Sequence, residues 1–307
     1  STSLFANKIG VIYDSGGKSD KSFNQMAFET ALRVKDELGW EMVEFESAND
    51  TQIEQGMRKV ADRGATLIVA MGFAQADAVA SVAPDYPEIK FVAVDVCWLE
   101  DTAKNIYQAC YKEHEGGFLV GMLAAMKSES GKIGFVGGMD IPLIRKFQGG
   151  YHQGAEYVNP DIEVVASYAG TTNEAWGDPV KGAELAKAHI DGGADVVYHA
   201  AGYTGTGVLK AASDAGVYGI GVDMNQNWMH PGSVLSSMLK RLDLTIFDQA
   251  EKVAAGTFKS DLVVLGLDES AVGYAGVGYA MDEHNADIVS ADMISCLLYT
   301  SPSPRDS

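Results

Sequence analysis

The chain has 307 residues, 47% hydrophobic and 21% charged, enough to bury one large core or two ordinary ones. Its net charge of −19, from 42 acidic against 23 basic residues, repels phosphate backbones and argues against nucleic acid as a partner. No apolar run approaches the roughly 20 residues that span a bilayer. No basic-then-apolar leader precedes Ser1-Thr2-Ser3, which fits either a cytosolic chain or a mature one whose signal has been removed.

Three cysteines are too few for a disulfide framework. Cys97 and Cys110 fall close to the ends of two expected strands, where they either pair or stay as two buried thiols. The six histidines are scattered, and no Cys/His cluster has metal-ligand spacing. Neither a metal nor a cofactor is expected.

In chain order, KIGVIY (residues 8–13) is a short apolar run rich in β-branched residues, the pattern of a buried strand. A polar, glycine-containing loop follows over 14–20. Residues 22–38 then place Phe23, Met26, Ala27, Thr30, Ala31, Val34 and Leu38 on one helical face, and Gly39 ends the helix. Strands at 40–45, 66–71 and 90–94 alternate with helices at 51–63 and 74–83. A long helix over about 113–128 opens a second series: strands at 131–136, 162–168, 196–200 and 218–222, and helices at 143–158, 179–191 and 205–215. Strand and helix alternating at this interval means βαβ units, a parallel sheet and helices on both its faces.

The same order occurs twice, so two doubly wound lobes are expected. The first is assigned 1–127 with a return at about 241–268, and the second 128–240 with about 269–287. Beyond Asp287 no periodicity continues. The Ser/Pro-rich stretch 296–307 has no packing face and reads as a non-native tail.

In such sheets ligands lie beyond the carboxyl ends of the strands. Those positions carry Asp14, Gly72-Phe73 and Asp95 in the first series, and Gly202-Tyr203 and Asp223 in the second. A carboxylate accepts paired hydrogen bonds and an aromatic ring offers a flat stacking surface, which together suit a sugar joined to a planar base. Any one of these aspartates also reads as a helix cap; the recurrence at corresponding strand ends favours ligand binding. No G-x-S-x-G elbow, Walker loop or H-E-x-x-H is present. The glycines of Gly202 to Gly207 only partly match a phosphate loop. With no nucleophile, metal set or acid/base pair standing out, an enzyme is not expected.

The segment Asp14-Ser-Gly-Gly-Lys-Ser-Asp20-Lys21-Ser22-Phe23-Asn24 resembles the D-x-G-G-x-x-D-K-S-F-N signature of the basic membrane protein family. Four further stretches resemble that family: His114–Gly121, Phe135–Gly138 with Pro142 and Phe147–Gly154, Ala175–Pro179 with Lys181-Gly182, and Gly221–Asp223 with Gln226 and Ser237–Lys240. The resemblance covers about 8–279. It implies a type I periplasmic-binding fold, two lobes joined by a hinge, and an extracytoplasmic substrate-binding protein of an ABC transporter, monomeric and periplasmic or membrane-anchored. It further implies a purine nucleoside or nucleobase held between the lobes and passed to a permease. Phe23 and Tyr203 would sandwich the base. Asp14, Asn24 and Asp95 would address the base edge or sugar, and Asp223 and Lys240 the ribose hydroxyls. Gly72 and Phe73 would offer a backbone group and a wall, and Trp176 and Asp178 would lie near the cleft mouth. Alternatives are another solute in the same fold (a sugar, vitamin or signalling molecule) or, from a different class, a nucleoside-processing enzyme.

Overall fold

The computed structural model describes residues 6–47, 49–100, 103–276 and 282–300. The chain divides into two units, Ser1–Tyr111 with Leu242–Val264, and Lys112–Arg241 with Leu265–Ser307. The first contains β1 (Lys8–Tyr13), α1 (Phe23–Leu38), β2 (Glu41–Glu46), α2 (Ile53–Asp62), β3 (Leu67–Met71), α3 (Ala76–Val82), β4 (Lys90–Val94) and β5 (Ile106–Tyr111). The second contains α4 (Glu113–Lys127), β6 (Lys132–Met139), α5 (Pro142–Val158), β7 (Glu163–Gly170), α6 (Pro179–Asp191), β8 (Val196–Ala200), α7 (Thr204–Asp214), β9 (Tyr218–Asp223) and β10 (Val234–Lys240). The chain returns to the first unit for α8 (Leu242–Ala254) and β11 (Asp261–Leu265). It ends in the second with β12 (Val272–Tyr274) and α9 (Ala291–Thr300).

The repetition extends to topology. The first sheet has the order β11-β5-β4-β3-β1-β2 and the second β12-β10-β9-β8-β6-β7, so the five principal strands of each unit are arranged alike. Within each sheet those strands pair in parallel, and β12 joins β10 antiparallel. In each sheet the strand order reverses beside the first strand, which opens a crevice beyond the carboxyl ends of β1 and β3, and of β6 and β8. The central strands β3 and β8 are buried at every position, whereas β2 (EMVEFE) lies at an edge with its end glutamates exposed. A parallel sheet covered on both faces selects continuous apolar runs, and these central strands follow that rule.

The first crossing between units falls at Tyr111–Lys112, not at 127 as expected from sequence, and α4 belongs to the second unit. The reason is a reciprocal close approach, in which glycines of each helix lie against the backbone of the other. A Cβ on Gly117 or Gly121 of α4 would lie 2.8 or 2.1 Å from the carbonyl oxygens of Phe147 and Tyr151. A Cβ on Gly150 or Gly154 of α5 would lie 2.2 or 1.9 Å from those of His114 and Phe118. The two helix backbones touch along glycine faces that no larger residue permits.

The chain end also departs from expectation. Asn285 donates to the Leu235 carbonyl at 2.8 Å, Lys127 Nζ to that of Ile288 at 2.8 Å, and Val289 and Leu297 are buried. Residues 296–300 therefore complete a helix with a packing face; the rest of the stretch read as a non-native tail, 301–307, lies outside the described residues, as does Tyr279. Among the described residues no helix is long and apolar enough to cross a membrane.

Gly121→Ala must push two helix backbones apart and is expected to lower the unfolding free energy by about 1–3 kcal/mol, as overpacking does. Gly149→Ala, whose added Cβ meets nothing within 4 Å, is the control and should be neutral or stabilising. Urea denaturation of both variants checks the difference.

Candidate functional site

In the first unit the loop after β1 is built around two carboxylates, buried Asp20 and half-buried Asp14. Asp20 Oδ1 accepts the N–H groups of Ser22 at 2.8 Å and Gln25 at 3.0 Å, and Oδ2 accepts that of Asn24 at 2.9 Å. Asp20 thus meets the exposed donors at the start of α1, where Ser22 makes no side-chain cap. Burial pushes the Asp20 carboxyl up to about 7, against the pull of these hydrogen bonds.

Asn24 links Asp20 to Asp14. Its Nδ2 donates to Asp14 Oδ1 at 2.6 Å and to Asp20 Oδ2 at 3.1 Å, while its Oδ1 accepts the Asp14 N–H at 3.1 Å. Asp14 Oδ1 also accepts the Gly16 N–H at 2.8 Å. Burial raises the Asp14 pKa above the ordinary carboxylate range; the bonds from Asn24 and Gly16 oppose the rise and the charge of Asp95 adds to it.

Gly72 follows β3 with φ +99°, and a Cβ there would lie 3.3 Å from Asp14 Oδ2 and 3.7 Å from Phe23 Cε1. The carboxylate, the ring and the glycine turn are therefore neighbours. Half-buried Phe73 follows, and Gln75 Nε2 bridges the Ile12 and Met71 carbonyls at 2.9 Å each, fixing the ends of β1 and β3 together.

Asp95 ends β4 in the left-handed region, φ +62°. The segment after it is buckled to β5 in three places. The Asp95 N–H donates to the Ala109 carbonyl at 2.9 Å, Cys97 is disulfide-bonded to Cys110, and the Gln108 side chain brackets the Leu99 backbone. Of the two readings left open for Cys97 and Cys110, the structure holds the pair.

In the second unit Asp223 ends β9 at φ +68°, the same uncommon conformation at the same place in the repeat as Asp95. Non-glycine residues seldom adopt it, and aspartate is among those that tolerate it. Trp176, in the single turn Asn173–Trp176, lays its indole on Gly138 of β6, where a Cβ would stand 2.1 Å from the ring. Trp176 also lies beside Gly202, so it flanks the turn that carries exposed Tyr203 into α7. Asp178 instead caps α6, accepting the Lys181 N–H at 2.9 Å.

Lys240, at the carboxyl end of β10, is buried with its Nζ 3.0 Å from Glu113 Oε1 and 5.5 Å from the Phe147 ring centroid. Asp20, Gln75 and Glu113 were not singled out from sequence. Asp20 stands within the D-K-S-F-N motif and was recoverable from it. Glu113 lies just outside the glycine motif of its helix and had no such signal. Among the described residues no group of His, Cys, Asp and Glu is placed to hold a metal ion.

The chain matches the family model described as ABC transporter substrate-binding protein PnrA-like over residues 6–295, past residue 279 where the resemblance was expected to stop. Basic membrane protein A2 of Borrelia garinii subsp. bavariensis is 33% identical over 273 residues, covering 87% of this chain and 79% of that protein. An uncharacterized lipoprotein of Pyrococcus abyssi is 33% identical over 281 residues, covering 87% and 68%. The crystal structure of an ABC transporter system solute-binding protein from Aeropyrum pernix K1 superposes with a TM-score of 0.84 at 27% identity, covering 98% of this chain and 95% of that one. The two doubly wound sheets are those of the type I periplasmic-binding fold.

Behind Asp223, the Gln226 side-chain oxygen accepts the Val222 N–H at 3.0 Å and faces His199 Nε2 at 2.8 Å, which makes Nε2 the protonated ring nitrogen. Nδ1 is buried without a hydrogen-bond partner, and the ring lies against Gly205. Burial lowers the His199 pKa from 6.5 to about 4, with the Gln226 contact opposing it. The unfolded chain therefore binds the proton first. The stability from neutral His199 is complete above pH 6.5 and is lost as pH falls toward 4, on the order of 3 kcal/mol in all. NMR titration should find this ring still neutral at pH 5.5; titration near pH 6.5 would contradict the burial argument.

Proposed function

Because the chain belongs to the PnrA-like family of ABC transporter substrate-binding proteins, we propose that it captures a purine nucleoside or nucleobase outside the cytoplasm and delivers it unchanged to a permease. The observation that carries this reading is the Asp14 carboxylate, fixed by Asn24, beside the Phe23 ring and the Gly72 turn. A carboxylate next to an aromatic face accepts hydrogen bonds from a base edge or sugar while the ring stacks on the base.

In this reading Phe23 and Tyr203 stack on the base, and Asp14 and Asp95 accept from its edge or the sugar. Asp223 and Lys240 bind the ribose hydroxyls. Gly72, Phe73 and Trp176 supply backbone and wall. Asn24 keeps a different role. Both its amide hydrogens are engaged by Asp14 and Asp20, so it orients Asp14. The protein acts as a monomer, binding and releasing without turnover.

Calorimetry against adenosine, guanosine, inosine, hypoxanthine and xanthine tests the proposal, with chromatography of the recovered ligand to check that it is unchanged. At least one should bind, and Phe23→Ala should weaken it by about 1–3 kcal/mol, the worth of a stacked base. Binding of none overturns the purine reading. A sugar bound equally well by wild type and Phe23→Ala would replace it with a non-planar solute.

A further inference from the structure

Glu113 is the first residue of α4, fully buried, in a helix whose next three turns are mainly apolar. Its Oε1 lies 3.0 Å from Lys240 Nζ and its Oε2 3.4 Å from Lys146 Nζ. Both oxygens are shut off from solvent, and neither receives a well-aligned hydrogen bond, so the contacts are charge against charge. Lys146 on α5 is partly exposed, whereas Lys240 is 1% exposed.

Stability alone does not call for this arrangement. Two desolvated charges hold elements together no better than well-packed apolar residues of similar volume, and often worse. What the pair supplies is position. A lysine side chain has four rotatable bonds and a compact, strongly hydrated ammonium, so a buried one needs a fixed counter-charge to occupy a single place. Glu113 is itself fixed, because the glycine contacts set α4 against α5. The strand bearing Lys240 is fixed as well, by pairing with β9 on one side and with β12 on the other, where Lys240 stands opposite Val272. The pair also lies at the roots of two crossings between units, since Glu113 follows Lys112 and Lys240 precedes Arg241.

We infer that Glu113 is a positioning residue: its carboxylate holds the Lys240 ammonium where it meets the hydroxyls of the bound sugar, and so sets the preference for a riboside over the free base. This rests on the nucleoside reading above and assigns discrimination within it to a residue that does not touch the ligand.

The test is the affinity of wild type, E113Q and E113D for a nucleoside and its free base, measured by calorimetry on the same preparations. E113Q keeps the volume and removes the charge. It should weaken nucleoside binding at least about tenfold and free-base binding less than about twofold. E113D keeps the charge on a shorter stem and should fall between wild type and E113Q for the nucleoside alone. Should E113Q not fold, E113D carries the comparison. In a cycle with K240M, adding E113Q should cost the nucleoside no further affinity. Equal losses for nucleoside and base in the variants overturn the positioning role while leaving the nucleoside reading intact. A wild-type protein that binds neither overturns both.

Discussion

A charge taken out of water must be met at once by hydrogen bonds or by an opposite charge, and the strand-end loops of both units are shaped by that demand. In the first unit Asp20 gathers the donors at the start of α1, and Asn24 passes the arrangement on to Asp14. In the second unit two buried charges, Glu113 and Lys240, meet each other. Both solutions leave polar groups in fixed places beyond the carboxyl ends of parallel strands, where this kind of sheet binds ligands.

Packing provides the precision on which those groups depend. The glycine contacts between α4 and α5 fix the helix that carries Glu113, and the Gly72 turn lets backbone approach Asp14 and Phe23 where a side chain would intrude. The left-handed aspartates close the fourth strand of each unit. A conformation that non-glycine residues seldom adopt recurs at corresponding points of the repeat. The disulfide and the Gln108 contacts hold the segment after Asp95 to β5, a reinforcement at the first of the two points.

Much of the fold was legible because buried parallel strands are continuous apolar runs. KFVAV and VVYHA fold over the residues their patterns predict. Strand β10 (VLSSMLK) escaped because its two buried serines interrupt that pattern, and β11 (DLVVL) because it lies at a sheet edge, largely exposed. The helix α4 was legible as a helix but not as a member of the second unit. Its allegiance depends on glycines that lie against the backbone of a helix some thirty residues further along the chain. In the site, Asp14, Phe23 and Asn24 could be read from one contiguous motif. Glu113 could not, since its meaning comes from Lys240, more than a hundred residues away and brought beside it by α4 packing near β10.

The proposal is that strand-end residues receive a nucleoside's base and sugar. A crystal structure of the protein grown with the tightest-binding purine tests it most directly. Density is expected for the base stacked on Phe23 with Asp14 and Asp95 at its edge or sugar, and for hydroxyls within hydrogen-bond distance of Asp223 and Lys240. Density seated elsewhere, for instance in the groove between α6 and α7 lined by Val180, Ala183 and Ala211, would contradict it.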